Sequence, residues 1–484
     1  MLLSLIKSAL KNKIFWYLAS RYLVLGIQFL ASILLAVKLG AYHFGVWSFI
    51  LLLINIGTSC NWGIGTAMTV LLVQHKEDSD LCRSYTFNSF FLILLTFIPP
   101  LLILCYDRII GIPFFEKYHL GNLIYAVTAV VLLQYICNFL VSLFRVQNKI
   151  ISIIIQQSLW PLCMFLLIFC ASGEHLLDIL TFSYAGVLFL LTLIFMLKTP
   201  ISWSLKPDSA VLKKIAGKAF FLFLYNVCFL LIVLSTKLQI SYFCSIEDFG
   251  YFSFAFALAQ GIMLLLDSMI FLLFPKMVDM LKGNDNQKII SAIELLRKNY
   301  ILPLNLLFYA VLAASPVFFY FLPQYSKSLL PFILILFTLL MYSHCFGYNS
   351  YILAQNKELQ FSLIVLGALV LNNIFVYGFI KLVNRAEYVV LGTLAAYTIY
   401  SLIVNCYALY CLKERKIAAY IRKNIPLTLL TLYAVTLSLI LIWDQSYKFT
   451  LLSLLIFILL NFGKLKEVVK GAVKLIRNEK LINV

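Results

Sequence analysis

Three ionisable side chains stand inside long apolar runs of the sequence. They are Arg21, Lys237 and Asp267. A charged group at the centre of a bilayer costs about 2.5–3.5 kcal/mol on insertion scales, so such residues usually serve an ion or a polar substrate. Two cations and one acid give a cavity with a net positive charge. Such a cavity suits an anionic head group, and arginine grips phosphate through its planar fork.

Each of two charges has a glutamine seven residues away on the same helical face. Gln28 follows Arg21 at this spacing, and Gln260 precedes Asp267. The pattern predicts substrate-binding roles for Arg21, Gln28, Lys237 and Gln260 around a polar cavity. The alternative is a structural ion pair of Asp267 with either cation. Further amides within apolar runs suit sugar hydroxyls or interhelical hydrogen bonds: Asn55, Asn61, Gln134, Asn138, Asn226 and Asn305.

The elements that carry these residues are predicted to be membrane helices. Hydrophobic residues make up 63% of the 484 residues and charged residues only 12%. A helix needs about 20 apolar residues to cross the hydrocarbon core, whereas a membrane strand alternates over about ten. The sequence therefore predicts an all-α integral membrane protein with about fourteen transmembrane helices. The predicted spans are 14–37, 43–72, 85–106, 122–144, 150–172, 176–197, 217–244, 250–274, 300–322, 329–353, 359–383, 388–412, 425–443 and 447–462.

The formal net charge of +18 is explained by membrane topology better than by nucleic acid. With a cytoplasmic N-terminus, most lysines and arginines fall in inside loops, as the positive-inside rule requires. The sequence therefore predicts a multi-pass protein with both termini cytoplasmic and no nucleic-acid partner. Residues 276–299 form the longest predicted inside loop, with a helix lying along the membrane surface.

Known catalytic and metal-binding patterns are missing from the sequence. The eleven cysteines form no Cys-x-x-Cys pair, and the histidines show no metal-ligand spacing. There is no phosphate-binding loop or nucleotide fingerprint. The predicted outside loops are too short for a catalytic domain. We therefore expect no catalytic residues, no metal site and no cofactor, and a transporter more than an enzyme.

Two short motifs recur in the same order along the chain. "HFGVWSF" at 43–49 is echoed by "DFGYFSF" at 248–254, and "VQNK" at 146–149 by "AQNK" at 354–357. Their offsets of about 205 and 208 residues indicate an internal duplication. The predicted organisation is two six-helix lobes, a basic cytoplasmic linker, and a segment with two extra helices and a basic tail. These occupy residues 1–197, 219–412, 198–218 and 413–484, respectively.

The stretch "VKLGAYHFGVWSFILLLINIGTSCNWGIGTA" at the second predicted helix, with its counterpart "FGYFSF", carries a family resemblance. With its two-lobe pattern, the chain resembles the Wzx-type flippases of O-antigen and polysaccharide repeat units. That family belongs to the multidrug/oligosaccharidyl-lipid/polysaccharide exporter superfamily and is MATE-like in fold. Leu39-Gly40 and Phe44-Gly45 match its entry motif, whereas the second half lacks the earlier glycine.

The resemblance implies alternating-access transport of an undecaprenyl-diphosphate-linked oligosaccharide across the bacterial cytoplasmic (inner) membrane. It implies a role in polysaccharide or lipopolysaccharide biosynthesis, with a polysaccharide polymerase and a chain-length regulator as candidate partners. Arg21 fits the cation that the family tends to carry on its first helix. Coupling to a proton or sodium gradient would use Asp267.

Three alternatives stay open on the sequence. A lipid II flippase shares the fold and the cationic cavity. An ion-coupled multidrug exporter of the same superfamily would need several acidic groups to hold cations. The sequence offers only one clear buried acid, Asp267. A membrane polysaccharide polymerase or ligase is disfavoured by the short outside loops and the repeat.

Overall fold

The computed structural model describes residues 13–75, 77–147, 149–171, 173–199, 207–281, 285–355, 357–383, 385–413, 427–442 and 448–477. Within these ranges all regular elements are helices. The chain divides into two compact units, Met1–Gly261 and Ile262–Val484. Part of the predicted linker, residues 200–206, lies outside the described residues, and the predicted lobe boundaries stay a prediction.

The helices of the first unit are joined by short turns. They are α1 (Lys13–Ser59), α2 (Ile64–Gln74), α3 (Ser79–Thr96), α4 (Ile98–Ile110), α5 (Pro113–Lys117), α6 (Leu123–Val146), α7 (Ile150–Leu167), α8 (Gly173–Leu197) and α9 (Ser209–Phe243). The following helix, α10 (Ile246–Leu281), runs across the division between the units.

The second unit continues with α11 (Asn286–Tyr320), a 3-10 turn (Pro323–Ser328), α12 (Leu329–Ser343), α13 (Tyr348–Ala354), α14 (Glu358–Val383), a 3-10 turn (Ala386–Tyr388), α15 (Val390–Cys411), α16 (Leu427–Ile442) and α17 (Lys448–Arg477).

The helices confirm the prediction of an all-α membrane protein. Among the described residues, eight helical segments are long and apolar enough to cross a membrane, and five shorter apolar helices accompany them. Many large apolar side chains remain exposed on the helix surfaces, as expected for residues that face lipid. The protein is therefore a multi-pass membrane protein, and the number of fourteen spans stays a prediction.

The second predicted span, 43–72, differs from the structure. Gly40 has φ 69° and ψ 173°, so α1 consists of two helical legs that meet at this glycine. The second leg ends at Ser59, and the chain turns through Trp62 and Gly63, both with positive φ, before α2 begins. Asn61 Oδ1 accepts a hydrogen bond from the Gly63 N–H at 3.0 Å. The break leaves backbone polar groups within an apolar stretch, which matters for the cavity beside it.

The two echoed Phe-Gly motifs pack directly against each other within the first unit. A Cβ added to Gly250 would lie 2.0 Å from the Ala41 carbonyl oxygen, and one added to Gly45 would lie 2.3 Å from that of Ile246. Phe44 and Phe254 meet edge to face with centroids 6.0 Å apart. The missing side chains of the two glycines therefore allow the two helical backbones to lie in contact.

Lys117 connects α5 to the end of α9, which lies a few residues before the second Phe-Gly motif. Its Nζ donates to the carbonyls of Ser241 at 2.7 Å, Tyr242 at 3.1 Å and Cys244 at 2.6 Å. These carbonyls lack helical partners because α9 ends here. Burial lowers the pKa of the Lys117 ammonium from its usual value.

The paired "QNK" turns have the same backbone geometry. The Lys149 N–H donates to the Phe144 carbonyl at 3.0 Å, and the Lys357 N–H donates to that of Ile352 at 3.2 Å. Each bond spans five residues and closes the end of a helix, as in a Schellman motif. Asp78 and Asp285 likewise cap α3 and α11. The repeated motifs thus correspond to repeated helix ends.

Candidate functional site

The predicted site residues lie in different surroundings, and two of their side chains lie outside the described residues. Gln28 lies on the first leg of α1, is exposed, and lines a cavity of the first unit. The Lys237 ammonium lies 4.0 Å from the centroid of the Phe256 ring, a cation–π contact. Gln260 is exposed near the end of the first unit. The side chains of Arg21 and Asp267 lie outside the described residues, so their roles stay predictions.

A cavity of about 310 Å³ lies among α1, α6, α7 and α8. We name it the glutamine cavity, because four glutamines contribute to its wall: Gln28, Gln134, Gln156 and Gln157. An amide offers both donors and acceptors, so each glutamine can bind a hydroxyl group in either role. The concentration of amides in an otherwise apolar bundle is typical of a site for an uncharged, hydroxyl-rich ligand.

Two stacked aromatic rings form part of the wall of the glutamine cavity. The Trp160 and Tyr184 rings lie parallel within 9°, with centroids 4.2 Å apart. Gln134 Nε2 donates a hydrogen bond to the Tyr184 hydroxyl oxygen. The phenolic proton then stays available for another acceptor, because the amide occupies only a lone pair of the oxygen.

Pro161 follows directly after Trp160 inside α7. Proline has no backbone N–H, so the carbonyl of Gln157, four residues earlier, receives no helical hydrogen bond from it. Gln157 and Pro161 both line the glutamine cavity. The helix therefore presents a main-chain acceptor in addition to the glutamine side chains.

A second cavity of about 430 Å³ adjoins the first and shares Gln156 and Gln157 with it. We name it the arginine cavity after Arg145, which lies in the last turn of α6. Asn61 and Asn138 also line it, and Gln156 Nε2 donates to Asn138 Oδ1 at 3.4 Å. The break between α1 and α2 thus brings Asn61 to a polar cavity.

The electrostatics of the two cavities are one-sided. Among their described lining residues none is acidic, and Arg145 supplies a guanidinium. A site without carboxylates does not compensate a cationic ligand, whereas amides and a guanidinium suit hydroxyls and phosphate. The arrangement can hold a neutral or anionic polar ligand.

The second unit contains a much smaller and drier cavity. Its volume is about 20 Å³, and aliphatic residues with Phe308 line it. Two pairs of buried polar groups in this unit bond to each other. The Tyr433 hydroxyl donates to Asn305 Oδ1, and Thr436 and Ser453 hydroxyls lie 2.9 Å apart.

Arg297 is the most prominent polar residue that the sequence analysis missed. It is only 2% exposed, although the sequence places it in an inside loop. Its Nη1 donates to the carbonyls of His344 and, at 3.0 Å, Phe346. Those residues form the turn between α12 and α13, and the guanidinium also lies 4.8 Å from the Tyr348 ring centroid. Arg297 therefore satisfies the carbonyls that the helix break releases.

Sequence reasoning found part of the cavity lining. Asn61, Gln134 and Asn138 were candidates and do line the cavities. Asn305 instead pairs with a tyrosine, and the side chain of Asn226 lies outside the described residues. The residues that were missed are Arg145, Gln156, Gln157, Trp160 and Tyr184. The signal for three of them was "QQSLWP", two successive amides and a Trp-Pro pair within an apolar run.

Solved structures with this arrangement of helices are transporters. The lipid II flippase MurJ, in an inward closed conformation, matches with a TM-score of 0.69 over 95% of this chain and 99% of its own, at 12% identity. This chain shares the helical fold of MurJ. An inward-facing MATE multidrug resistance transporter of the MOP superfamily matches with a TM-score of 0.58, covering 81% of this chain and 96% of its own, at 13% identity. No family model and no curated protein matches the sequence.

Proposed function

We propose that this protein translocates an undecaprenyl-diphosphate-linked oligosaccharide across the bacterial cytoplasmic membrane. The cargo is an O-antigen or related polysaccharide repeat unit, and the mechanism is alternating access. The observation that carries the proposal is the pair of amide-lined cavities in the first unit, whose described lining residues include no acid. The fold supports it, because the solved neighbours include a lipid II flippase.

The head group of this cargo has two chemically different parts. The diphosphate is anionic and needs cations, for which we propose Arg21 and Lys237. The glycan needs donors, acceptors and ring faces, which the amides and aromatics of the first unit provide. Gln28 belongs to this set, and we keep Gln260 in it as a proposal. Asp267 is proposed to couple transport to a proton or sodium gradient.

A multidrug cation exporter is the less suitable function for this lining. Cations that are removed from water need a compensating negative charge. The described lining of the two cavities offers amides and the Arg145 guanidinium, which repels cations. The same residues suit a glycan.

Lipid II transport is the second candidate, and the likeness to MurJ favours it. Lipid II carries both a glycan and a diphosphate, so it would use the same chemistry. Complementation of strains that lack one or the other flippase therefore decides between the two functions. Rescue of a strain depleted of its lipid II flippase would favour lipid II.

A complementation experiment tests the proposal. The full chain is expressed in a strain whose own repeat-unit flippase is deleted, and surface polysaccharide is measured beside the membrane level of the protein. We expect Arg21→Ala and Lys237→Ala to abolish surface polysaccharide at unchanged protein level, and Arg21→Lys to restore part of it. Lys213→Ala, at an exposed cation, serves as the matched control. Normal polysaccharide in a stable double alanine variant would refute the roles of both cations.

A further inference from the structure

We propose that the stacked Trp160–Tyr184 pair, Gln134 and the main-chain carbonyl of Gln157 form a subsite for an uncharged sugar ring of the carried glycan. The inference rests on the proposed function and assigns one part of the cargo to one part of the chain. The subsite lies in the glutamine cavity of the first unit. The diphosphate is assigned to the proposed cations Arg21 and Lys237.

The aromatic pair supplies a flat surface of fixed orientation. The face of an aromatic ring carries partial negative charge, and the C–H groups of a pyranose face carry partial positive charge, so the two attract. Stacking of Trp160 on Tyr184 at 4.2 Å restrains both rings. Tyr184 is 9% exposed and therefore held by its surroundings as well. A restrained ring loses little side-chain entropy when a ligand binds.

Hydrogen-bonding groups stand beside this surface. Gln134 donates to the Tyr184 oxygen, which leaves the phenolic proton for a sugar oxygen. The Gln157 carbonyl, which Pro161 leaves without a helical donor, can accept from a sugar hydroxyl. A donor and an acceptor next to an aromatic face are what a polyhydroxylated ring requires.

The charge and size of the cavity favour a neutral ring over the diphosphate. Among the described residues that line the glutamine cavity, none is a lysine, an arginine or an acid. The volume of about 310 Å³ is at the lower end of the range of about 300–1,000 Å³ that is typical of small-molecule sites. The cavity therefore suits one or a few sugar units more than a whole head group.

The test compares two lipid probes in vesicles that contain the purified full chain. One probe is undecaprenyl diphosphate linked to a single N-acetylglucosamine, and the other is linked to a neutral tetrasaccharide. Translocation of each is followed by access of a lectin to the glycan in the opposite leaflet. The variants are Trp160→Leu with Tyr184→Leu, and Tyr184→Phe. Phe169→Leu, an exposed aromatic just after α7, is the matched control.

We expect the double variant to lose about tenfold in the rate for the tetrasaccharide, as removal of about 1.4 kcal/mol of binding would give. The single-sugar probe should change by less than about twofold, because its one ring adjoins the diphosphate and the subsite takes a ring further along the glycan. Tyr184→Phe keeps the stack, and we expect it to lose a smaller part of the tetrasaccharide rate. It keeps the inference testable if the double variant does not fold. Equal rates for parent and variants on the tetrasaccharide, or equal losses on both probes, overturn the subsite.

Failure of the two ideas gives different results. If the parent protein moves both probes but the variants match it, the flippase function stands and the subsite falls. If the parent moves neither probe, the proposed function is wrong, and the subsite falls with it.

Discussion

The two compact units differ most in how they treat their buried polar groups. In the first unit, amides surround open cavities of about 310 and 430 Å³. In the second unit, Arg297 bonds to backbone carbonyls and Tyr433 to Asn305, and a cavity of about 20 Å³ is apolar. Polar side chains around open space can reach a ligand, whereas a side chain buried in a closed pair cannot. The difference favours the first unit as the place to test for ligand binding, and it makes Arg297 and the Tyr433–Asn305 pair the places to test for stability.

Arg297→Met is expected to have the largest effect on stability. It removes the donor from the carbonyls of His344 and Phe346, and each orphaned buried carbonyl costs about 1–3 kcal/mol. We expect a clear fall in the thermal unfolding temperature of the purified protein. Lys298→Met is the control, because this neighbouring cation is exposed. Equal unfolding temperatures of the two variants would remove Arg297 from the structural account.

Tyr433→Phe is expected to have the next largest effect. The tyrosine is 4% exposed and Asn305 is fully buried, so loss of the hydroxyl leaves the Asn305 oxygen without its donor. The expected cost is about 1–3 kcal/mol in the free energy of unfolding. Denaturant titration measures it, with Tyr410→Phe at a 73% exposed position as the control. A variant that loses transport but keeps its stability would contradict the division between the units.

Asp78→Ala and Asp285→Ala test what the two units share. The carboxylates accept from the backbone N–H groups of Leu81 and of Gln287 and Lys288, respectively. Both variants should lower the unfolding temperature slightly and by similar amounts, because both lose an N-cap.

The pH dependence of the second cap has a definite sign. The backbone N–H of Lys288 is the main cause that lowers the pKa of Asp285 below its usual value. Its contribution to stability is therefore complete above the usual carboxyl pKa and is lost as the pH falls through the lowered one. The difference between parent and Asp285→Ala should shrink in that acidic range. A difference that grows on acidification would contradict the cap.

Gln156→Leu combined with Gln157→Leu is expected to change stability least and transport most. Both residues line cavity space, and the hydrogen bond of Gln156 to Asn138 is long at 3.4 Å, so the free energy of unfolding should change by less than about 0.5 kcal/mol. Surface polysaccharide in the complemented strain should fall strongly, since both cavities lose donors and acceptors. Gln74→Leu, at an exposed glutamine of α2, is the control. A large loss of stability would place these glutamines with the closed pairs of the second unit.

The helical membrane fold class was predictable, because apolar runs of about 20 residues are long enough to cross the bilayer as helices. The breaks at Gly40, at 60–63 and at 344–347 were not, because local backbone geometry decides them within runs of nearly uniform hydropathy. These breaks create the polar sites: the second brings Asn61 to the arginine cavity, and the third requires Arg297.

The site was predictable in residue type more than in position. Amides in spans were sound candidates, and Asn61, Gln134 and Asn138 line the cavities, as Gln28 does. Spacing within one helix identified Gln28 as a candidate but gave no information on which helices meet. Trp160 and Tyr184 come from different helices, and only packing places them face to face. Arg297 was missed because its flanking polar residues resemble those of a loop.

The most direct test of the proposed function is transport of the intact cargo by the purified protein. Vesicles that contain it are loaded with an undecaprenyl-diphosphate-linked oligosaccharide, and its appearance in the opposite leaflet is measured beside uptake of a cationic drug such as ethidium. The account predicts translocation of the lipid-linked glycan, loss of that activity in the Gln156→Leu/Gln157→Leu variant, and no drug transport. Drug transport without movement of the lipid-linked glycan would contradict it.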